Sequence, residues 1–354
     1  MSDCVRLGST REAELQRLFV EVLRLCAEAG LVKVRKVALD GTKMKANASL
    51  AANRTLAHLT EEVATMLKQA EAADREEDRK YGKDKCGDEL PDDLQQRASR
   101  LKRLQECKER LEREQQEARE TQEEKIAARE AKEEATGQKL RGRKPKAPED
   151  AVNTEAKANV TDPESRILKT QKGYVQGYNA QAVVTEDQVI VAAEVTQEEN
   201  DVHQLHAILE KATENCAAVE AKADIGVVLA DAGYWSEENA TRETDGDMEL
   251  LIATAKDWKQ RKAMRELPPP RGPLPKKLTA QARMERLLRT KRGRALHALR
   301  SQLVEQVFGQ IKDGRRGDRF MRRGFPAAQS GWALLCTTHN LLKLWRSGKA
   351  HWLN

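Results

Sequence analysis

Apolar positions near the start of the chain recur three and four residues apart. Leu15, Leu18, Phe19, Val22, Leu23 and Cys26 form one stripe, which predicts an amphipathic helix over 11–29. Gly30 follows where a C-cap is expected. The pattern then becomes a continuous apolar run, Val37-Ala38-Leu39, closed by Asp40-Gly41, and predicts a strand ending at Asp40. A second, stronger run spans 225–230 and ends at Asp231. Two more strands are expected over 173–184 and 189–195, joined as a hairpin by Thr185-Glu186-Asp187-Gln188. Asn200 or Asp201 is placed to cap a helix through Leu205, Leu209 and Val219. A helix starting near Ser236, a strand over 250–254, a loop over 256–277 and two closing helices complete the pattern. One closing helix carries Glu305 and the other runs Trp332–Trp345.

Between 50 and 137 the texture differs. Glu, Lys, Arg, Gln and Ala dominate, while Leu56, Leu59, Val63 and Met66 recur in one arm and Leu94, Leu101, Leu104 and Leu111 in another. The stretch 81–91 between the arms carries Gly, Pro and Asp. This predicts two long helices folded back as an antiparallel coiled-coil hairpin, with a seam that fades beyond Leu111. A basic linker follows, Arg141-Gly142-Arg143-Lys144-Pro145-Lys146. It is similar to the core of an AT-hook, although a solvated linker is the preferred reading. The expected organisation is an N-terminal helix and first core strand (1–49), a helical insertion (50–137), a basic linker (138–157) and the remainder of an α/β core (158–354).

Composition narrows the class. Of 354 residues, 39% are hydrophobic and 34% charged, so much of the chain is solvated. The net charge of +6 is modest, but Arg286–Arg323 holds twelve Lys/Arg against three acids. Such a cluster attracts a polyanion in a salt-sensitive way. The six cysteines have no Cys-x-x-Cys spacing and suit a reducing compartment. No apolar run approaches the ~20 residues that span a bilayer, and no secretory signal pattern opens the chain. A cytoplasmic protein with no membrane association is expected.

The candidate chemistry lies in three acids. Asp40 and Asp231 end apolar strands, and Glu305 lies on a helix inside the basic region. Residues on neighbouring strands can meet at one sheet edge, and a helix packed there can add a third carboxylate. Hard oxygen ligands of this kind suit Mg²⁺ or Mn²⁺. Two such ions ~3.5–4 Å apart can serve an in-line displacement at phosphorus. On the Glu305 helix, Gly309 and Lys312 are expected one and two turns later on the same face, with Arg300 ahead of the glutamate. Leu299, Leu303, Val307 and Ile311 are left to face the core. His203 and His206 have no cysteine or third histidine nearby and are read as structural. There is no phosphate loop of the nucleotide-hydrolase type.

At these residues the chain resembles the DDE transposases of the IS4/IS5 type, most closely the IS1182-like group. The resemblance rests on Val37–Ser49, Gly173–Gln181, Leu229–Tyr234, Val304–Lys312 and Arg319–Gly324, and covers about residue 15 to the end. It implies an RNase H-like mixed sheet flanked by helices, with the helical hairpin inserted after the first core strand. It also implies a two-metal mechanism with Asp40, Asp231 and Glu305 as the metal-binding, catalytic triad. Arg300 and Lys312 would belong to the basic signature around the glutamate, and Arg319, Arg322 and Arg323 are further expected DNA contacts. The expected partner is double-stranded DNA, as element ends and target, bound by at least a homodimer. The sequence departs from the group in two ways. Only 39 residues precede Asp40, where the group carries a longer helical region, and the tyrosine expected before the arginine is absent, His297 being the nearest ring. The first departure raises the alternative of a truncated, non-catalytic DNA-binding remnant.

Overall fold

The computed structural model describes residues 2–81, 92–242, 248–255, 257–275 and 277–349. The chain falls into two compact units, Met1–Asn47 with Arg166–Asn354, and Ala48–Ser165.

In chain order, α1 (Ser2–Glu28) and β1 (Lys36–Lys45) belong to the first unit. The second holds β2 (Asn53–Thr55), α2 (Leu56–Tyr81), α3 (Asp92–Thr136), α4 (Pro148–Ala151) and β3 (Lys157–Asn159). Back in the first unit come β4 (Arg166–Thr170), β5 (Gly173–Thr185), β6 (Ile190–Thr196), α5 (Leu205–Ala218), β7 (Val227–Ala230), α6 (Glu237–Thr241) and β8 (Glu249–Ile252). Then follow α7 (Trp258–Glu266), α8 (Ala280–Arg289), α9 (Lys291–Arg300), a π-helical turn (Ser301–Glu305), α10 (Gln306–Lys312) and α11 (Phe325–Arg346).

The first unit is a mixed sheet with helices packed on it. The strand order is β4-β5-β1-β7-β8, and β6 also pairs β5. β1 occupies one edge of β5, from Val37↔Thr185 to Lys45↔Gly177; β4 and β6 share the other edge. These pairings are antiparallel, whereas β1–β7 and β7–β8 are parallel. β1, β5, β6 and β7 bury Val37, Ala38, Leu39, Val183, Ile190, Val228 and Leu229 almost completely. The apolar stripe of α1 meets α11, where Cys26 Sγ lies 3.7 Å from the Asn340 carbonyl. Asn340 turns its amide onto β6, accepting from Ile190 N at 2.9 Å and donating to Ile190 O at 2.8 Å. Trp332, fully buried, donates to Gln181 O at 3.0 Å. Both contacts tie α11 to the backbone of the sheet.

In the second unit α2 and α3 pack through Leu59, Val63, Leu104, Cys107 and Leu111, with Ala158 of β3 completing the cluster. Arg110 donates to Lys157 O at 3.0 Å, and Cys107 lies 3.3 Å from Asn159 O. Beyond Leu111 the buried positions stop, yet α3 runs on to Thr136. Pairs such as Arg129–Glu133 at 2.9 Å support this stretch. Arg129 also donates to the carbonyls of Leu140 and Arg143, which fixes the start of the basic linker. The expected break between the arms lies almost wholly at 82–91, outside the described residues.

Several expectations need correction. Asp40 does not end its strand: β1 continues to Lys45, because β5 offers a partner at every step from Asp40↔Ala182 onward. Tertiary pairing overrides the turn tendency of Asp-Gly. Neither Asn200 nor Asp201 caps α5, which starts at Leu205 after Gln204; the Asp201 side chain is engaged elsewhere. The loop over 256–277 contains α7, whose N-terminus is capped by Asp257 accepting from Lys259 N at 3.0 Å. β4 is an additional strand. The C-terminal region holds α8, α9 and α10 before the last helix, and α11 begins at Phe325, with Pro326 in its first turn.

Candidate functional site

Asp40 and Asp231 are brought together by register. The last paired residues of β1 and β7 before them are Leu39 and Ala230, so the two carboxylates leave adjacent parallel strands at the same level. Asp231 follows the end of β7, where its Oδ1 accepts from Gly233 N at 2.8 Å. The Asp40 carboxyl is raised from 3.8 to about 7. Burial is the main cause; the Arg300 charge opposes it and the Asp231 charge adds to it.

Arg300 ends α9. Its Nη1 donates to Asp40 Oδ2 at 2.7 Å and its Nη2 to Glu305 Oε1 at 3.0 Å. The guanidinium is only 13% exposed and Asp40 17%, whereas Glu305 is 55% exposed. The π-helical turn explains the second bond. In an α-helix five residues cover roughly 1.4 turns, so Arg300 and Glu305 would diverge. A turn with i→i+5 bonding stacks them. Glu305 is thereby held beside Asp40 through a cation.

The residues fit a divalent cation in kind. Two carboxylates lie where the parallel β1–β7 pairing stops, one of them resisting ionisation, and a positive group already lies between Asp40 and Glu305. Among the described residues, no three His, Cys, Asp or Glu side chains come close enough to share an ion. The structure therefore places Asp40 and Asp231 side by side through strand register and links Glu305 to Asp40 through Arg300.

The remaining basic residues lie around the C-terminal half of β1. Lys312 donates to Lys43 O at 2.8 Å, and burial holds its ammonium below the usual lysine range. Asp318–Phe320 runs along the end of β1, with Lys45 N donating to Asp318 O at 3.0 Å and Phe320 N donating to Lys45 O at 2.8 Å. Phe320 packs edge-on to buried Tyr178 at 6.0 Å. This seats the loop that exposes Arg319, Arg322 and Arg323. Arg323 Nε donates to Asn47 O at 3.1 Å, and Arg322 reaches Ser330 Oγ at 2.5 Å. A cavity of about 510 Å³ beside the π-helical turn is lined by Thr254, Arg289, Arg294, His297, Ser301 and Gln302, among others.

Sequence reasoning missed a polar layer next to the two aspartates. Asp201 accepts from Asn179 Nδ2 at 2.6 Å and Gln181 Nε2 at 2.7 Å, with Lys43 Nζ at 3.7 Å. Fully buried Tyr234 donates its hydroxyl to Gln181 Oε1. Its phenol is raised well above its usual value, by burial first and then by Asp201, Asp40 and Asp231. Asn179, Gln181 and Tyr234 lie within segments that carried the resemblance; Asp201 does not.

The helices of the described residues include none long and apolar enough to cross a membrane. A family model, the transposase DDE domain, matches residues 153–341. That is more than half of the chain; it takes in Asp231 and Glu305 and leaves Asp40 ahead of it. Searches of curated proteins and of solved structures return no match. The chain belongs to the transposase DDE domain family, and membership implies a protein that acts on DNA.

Proposed function

We propose that the protein is an insertion-sequence transposase of the IS4/IS5 type, near the IS1182-like group. Asp40, Asp231 and Glu305 form its catalytic triad and hold two Mg²⁺ or Mn²⁺ ions. The observation that carries this reading is the meeting of Asp40 and Asp231 on adjacent parallel strands, with Arg300 linking Asp40 to Glu305. The order β6-β5-β1-β7-β8, antiparallel on one side of β1 and parallel on the other, supports an RNase H-like core.

Cutting and joining need the same chemistry twice. Water attacks phosphorus at the element's end, the bond to the 3′ oxygen breaks, and a 3′-hydroxyl leaves. That hydroxyl then attacks a target phosphorus, forms the new ester bond and releases a target 3′-hydroxyl. When bound, the cations supply the Lewis acidity that such displacements require. Asp40 and Asp231 hold them from the sheet, and Glu305 does so from the helical side. Asp40 must give up its proton to serve. Arg300, close to both acids, is placed to neutralise the scissile phosphate. Lys312, Arg319, Arg322 and Arg323 bind the flanking backbone in a salt-sensitive way. Joining two element ends calls for at least two copies of the chain on DNA.

The test is cleavage of labelled DNA carrying the element's ends in Mg²⁺ or Mn²⁺, with Asp231→Ala alongside. Nicking at the ends that requires metal and disappears in the variant is expected. DNA binding by both proteins without cleavage would overturn the enzyme reading.

A further inference from the structure

A fourth carboxylate stands beside the two aspartates of the sheet, at the head of a chain of hydrogen bonds. Asp201 lies on the segment between β6 and α5. As a carboxylate it only accepts hydrogen bonds, so it draws Gln181 Nε2 toward itself at 2.7 Å. That choice leaves Gln181 Oε1 facing away as an acceptor, and the Tyr234 hydroxyl donates to it. Tyr234 N in turn donates to Asp231 O at 3.3 Å, closing the turn that begins at Asp231. Between them sits Gly233, whose N–H fixes Asp231 Oδ1 at 2.8 Å.

The packing leaves little slack. A Cβ on Gly233 would stand 2.9 Å from Asp231 Oδ1 and 3.2 Å from Asp201 Oδ2. A Cβ on Gly41, next to Asp40, would stand 2.6 Å from Asp201 Oδ1 and 2.5 Å from Gln181 Nε2. Asp201 thus touches the space beside both aspartates of the sheet. Placing a third negative group near two others is costly unless it is well solvated by donors; here two amides and Lys43 supply them.

We propose that Asp201 is a positioning residue for metal binding, acting through the Gln181–Tyr234 hydrogen-bond chain and the turn at Gly233 to hold the Asp231 carboxylate toward Asp40. The inference rests on the metal-dependent reading above. Outer partners of metal ligands fix ligand orientation, and losing one weakens metal affinity by about 10–100-fold. Asp201→Asn keeps the shape but lets both amides flip, so the chain no longer has one hydrogen-bonding sense. Tyr234→Phe breaks the same chain at another point.

The experiment is Mn²⁺ titration of the full-length, metal-free protein by electron paramagnetic resonance, paired with the Mn²⁺ dependence of cleavage. Wild type, Asp201→Asn, Tyr234→Phe and Asp231→Asn are compared, with circular dichroism as the check on folding. The inference expects Asp201→Asn and Tyr234→Phe to fold as wild type and to bind Mn²⁺ about tenfold or more weakly. Their cleavage should return to within a few-fold of wild type at saturating Mn²⁺. Unchanged Mn²⁺ affinity in folded Asp201→Asn would overturn it. So would a lost equivalent of Mn²⁺ with no recovery at high concentration, which would make Asp201 a ligand itself. A wild-type protein that binds no Mn²⁺ would overturn the underlying function, and this inference with it.

Discussion

Arg300 Nη1 lies 2.7 Å from Asp40 Oδ2, both side chains being largely buried, while its other terminal nitrogen holds Glu305. One guanidinium therefore organises two of the three acids. Arg300→Ala removes the opposing charge that limits the rise of the Asp40 pKa. Cleavage is expected to fall about 100-fold, the usual cost of one donor at a reacting centre. Thermal stability should fall more at pH 8, where Arg300 helps wild type hold Asp40 as a carboxylate and the variant cannot, than at pH 5, where Asp40 is protonated in both. An equal loss at both pH values would show that the pair is not electrostatically coupled. Arg300→Lys should be intermediate, since an ammonium lacks the planar fork that reaches both acids.

The Asp40 carboxyl gives a pH signature. Its folded value is about 7 against 3.8 ordinarily, so the metal-free folded protein keeps a proton that the unfolded chain has released. The stability this group contributes is full below about pH 4 and is lost as pH rises through 7. A divalent cation needs the carboxylate, so its stabilising effect grows over the same window and levels off above it. Unfolding temperatures in Mn²⁺ and in EDTA from pH 5 to 8 test this. The Mn²⁺-induced rise should increase with pH and be absent in Asp40→Asn.

Gly309 follows Glu305 by about one turn, and a Cβ built on it meets nothing within 4 Å. Gly309→Ala should stabilise the helix by about 1 kcal/mol. If DNA occupies that space, the same variant loses cleavage while gaining stability. A gain in unfolding temperature with full cleavage would show the space to be idle.

Gln188 links the β5–β6 turn to the helix carrying Glu305. Its Nε2 donates to Gln302 O at 3.0 Å and Gln306 Oε1 at 2.6 Å, and its Oε1 accepts from Lys343 at 2.5 Å. Its backbone is left-handed, at φ 60°, and its carbonyl meets the ring of buried His339 at 2.8 Å. Burial holds that imidazole down to about 4, so it stays neutral. Gln188→Ala should cost about 1 kcal/mol and lower cleavage by releasing the π-helical turn. Unchanged cleavage with lowered stability would confine Gln188 to a structural role.

The elements that carry Asp231 and Glu305 were legible in sequence because their signals are local. An apolar run ending in Asp231 marks β7, and the spacing of Leu303, Val307 and Ile311 marks the buried face behind Glu305. What escaped depends on partners distant in the chain. Asp40 read as a strand end because Asp-Gly is turn chemistry, and nothing local announced that β5 would pair beyond it. Asp201 read as a helix cap because its partners, Asn179 and Gln181, lie on a strand before it. The link between Arg300 and Glu305 escaped because a helical period of 3.6 places them apart, and only a π-helical turn stacks them.

The most direct test of the central claim is strand joining. A labelled element end, already cut to expose its 3′-hydroxyl, is incubated with the protein, Mn²⁺ and a supercoiled target plasmid. The account predicts covalently joined product with wild type and none with Asp231→Asn. Full DNA binding with no joined product from wild type would contradict it and leave a protein that binds element DNA without catalysing its movement.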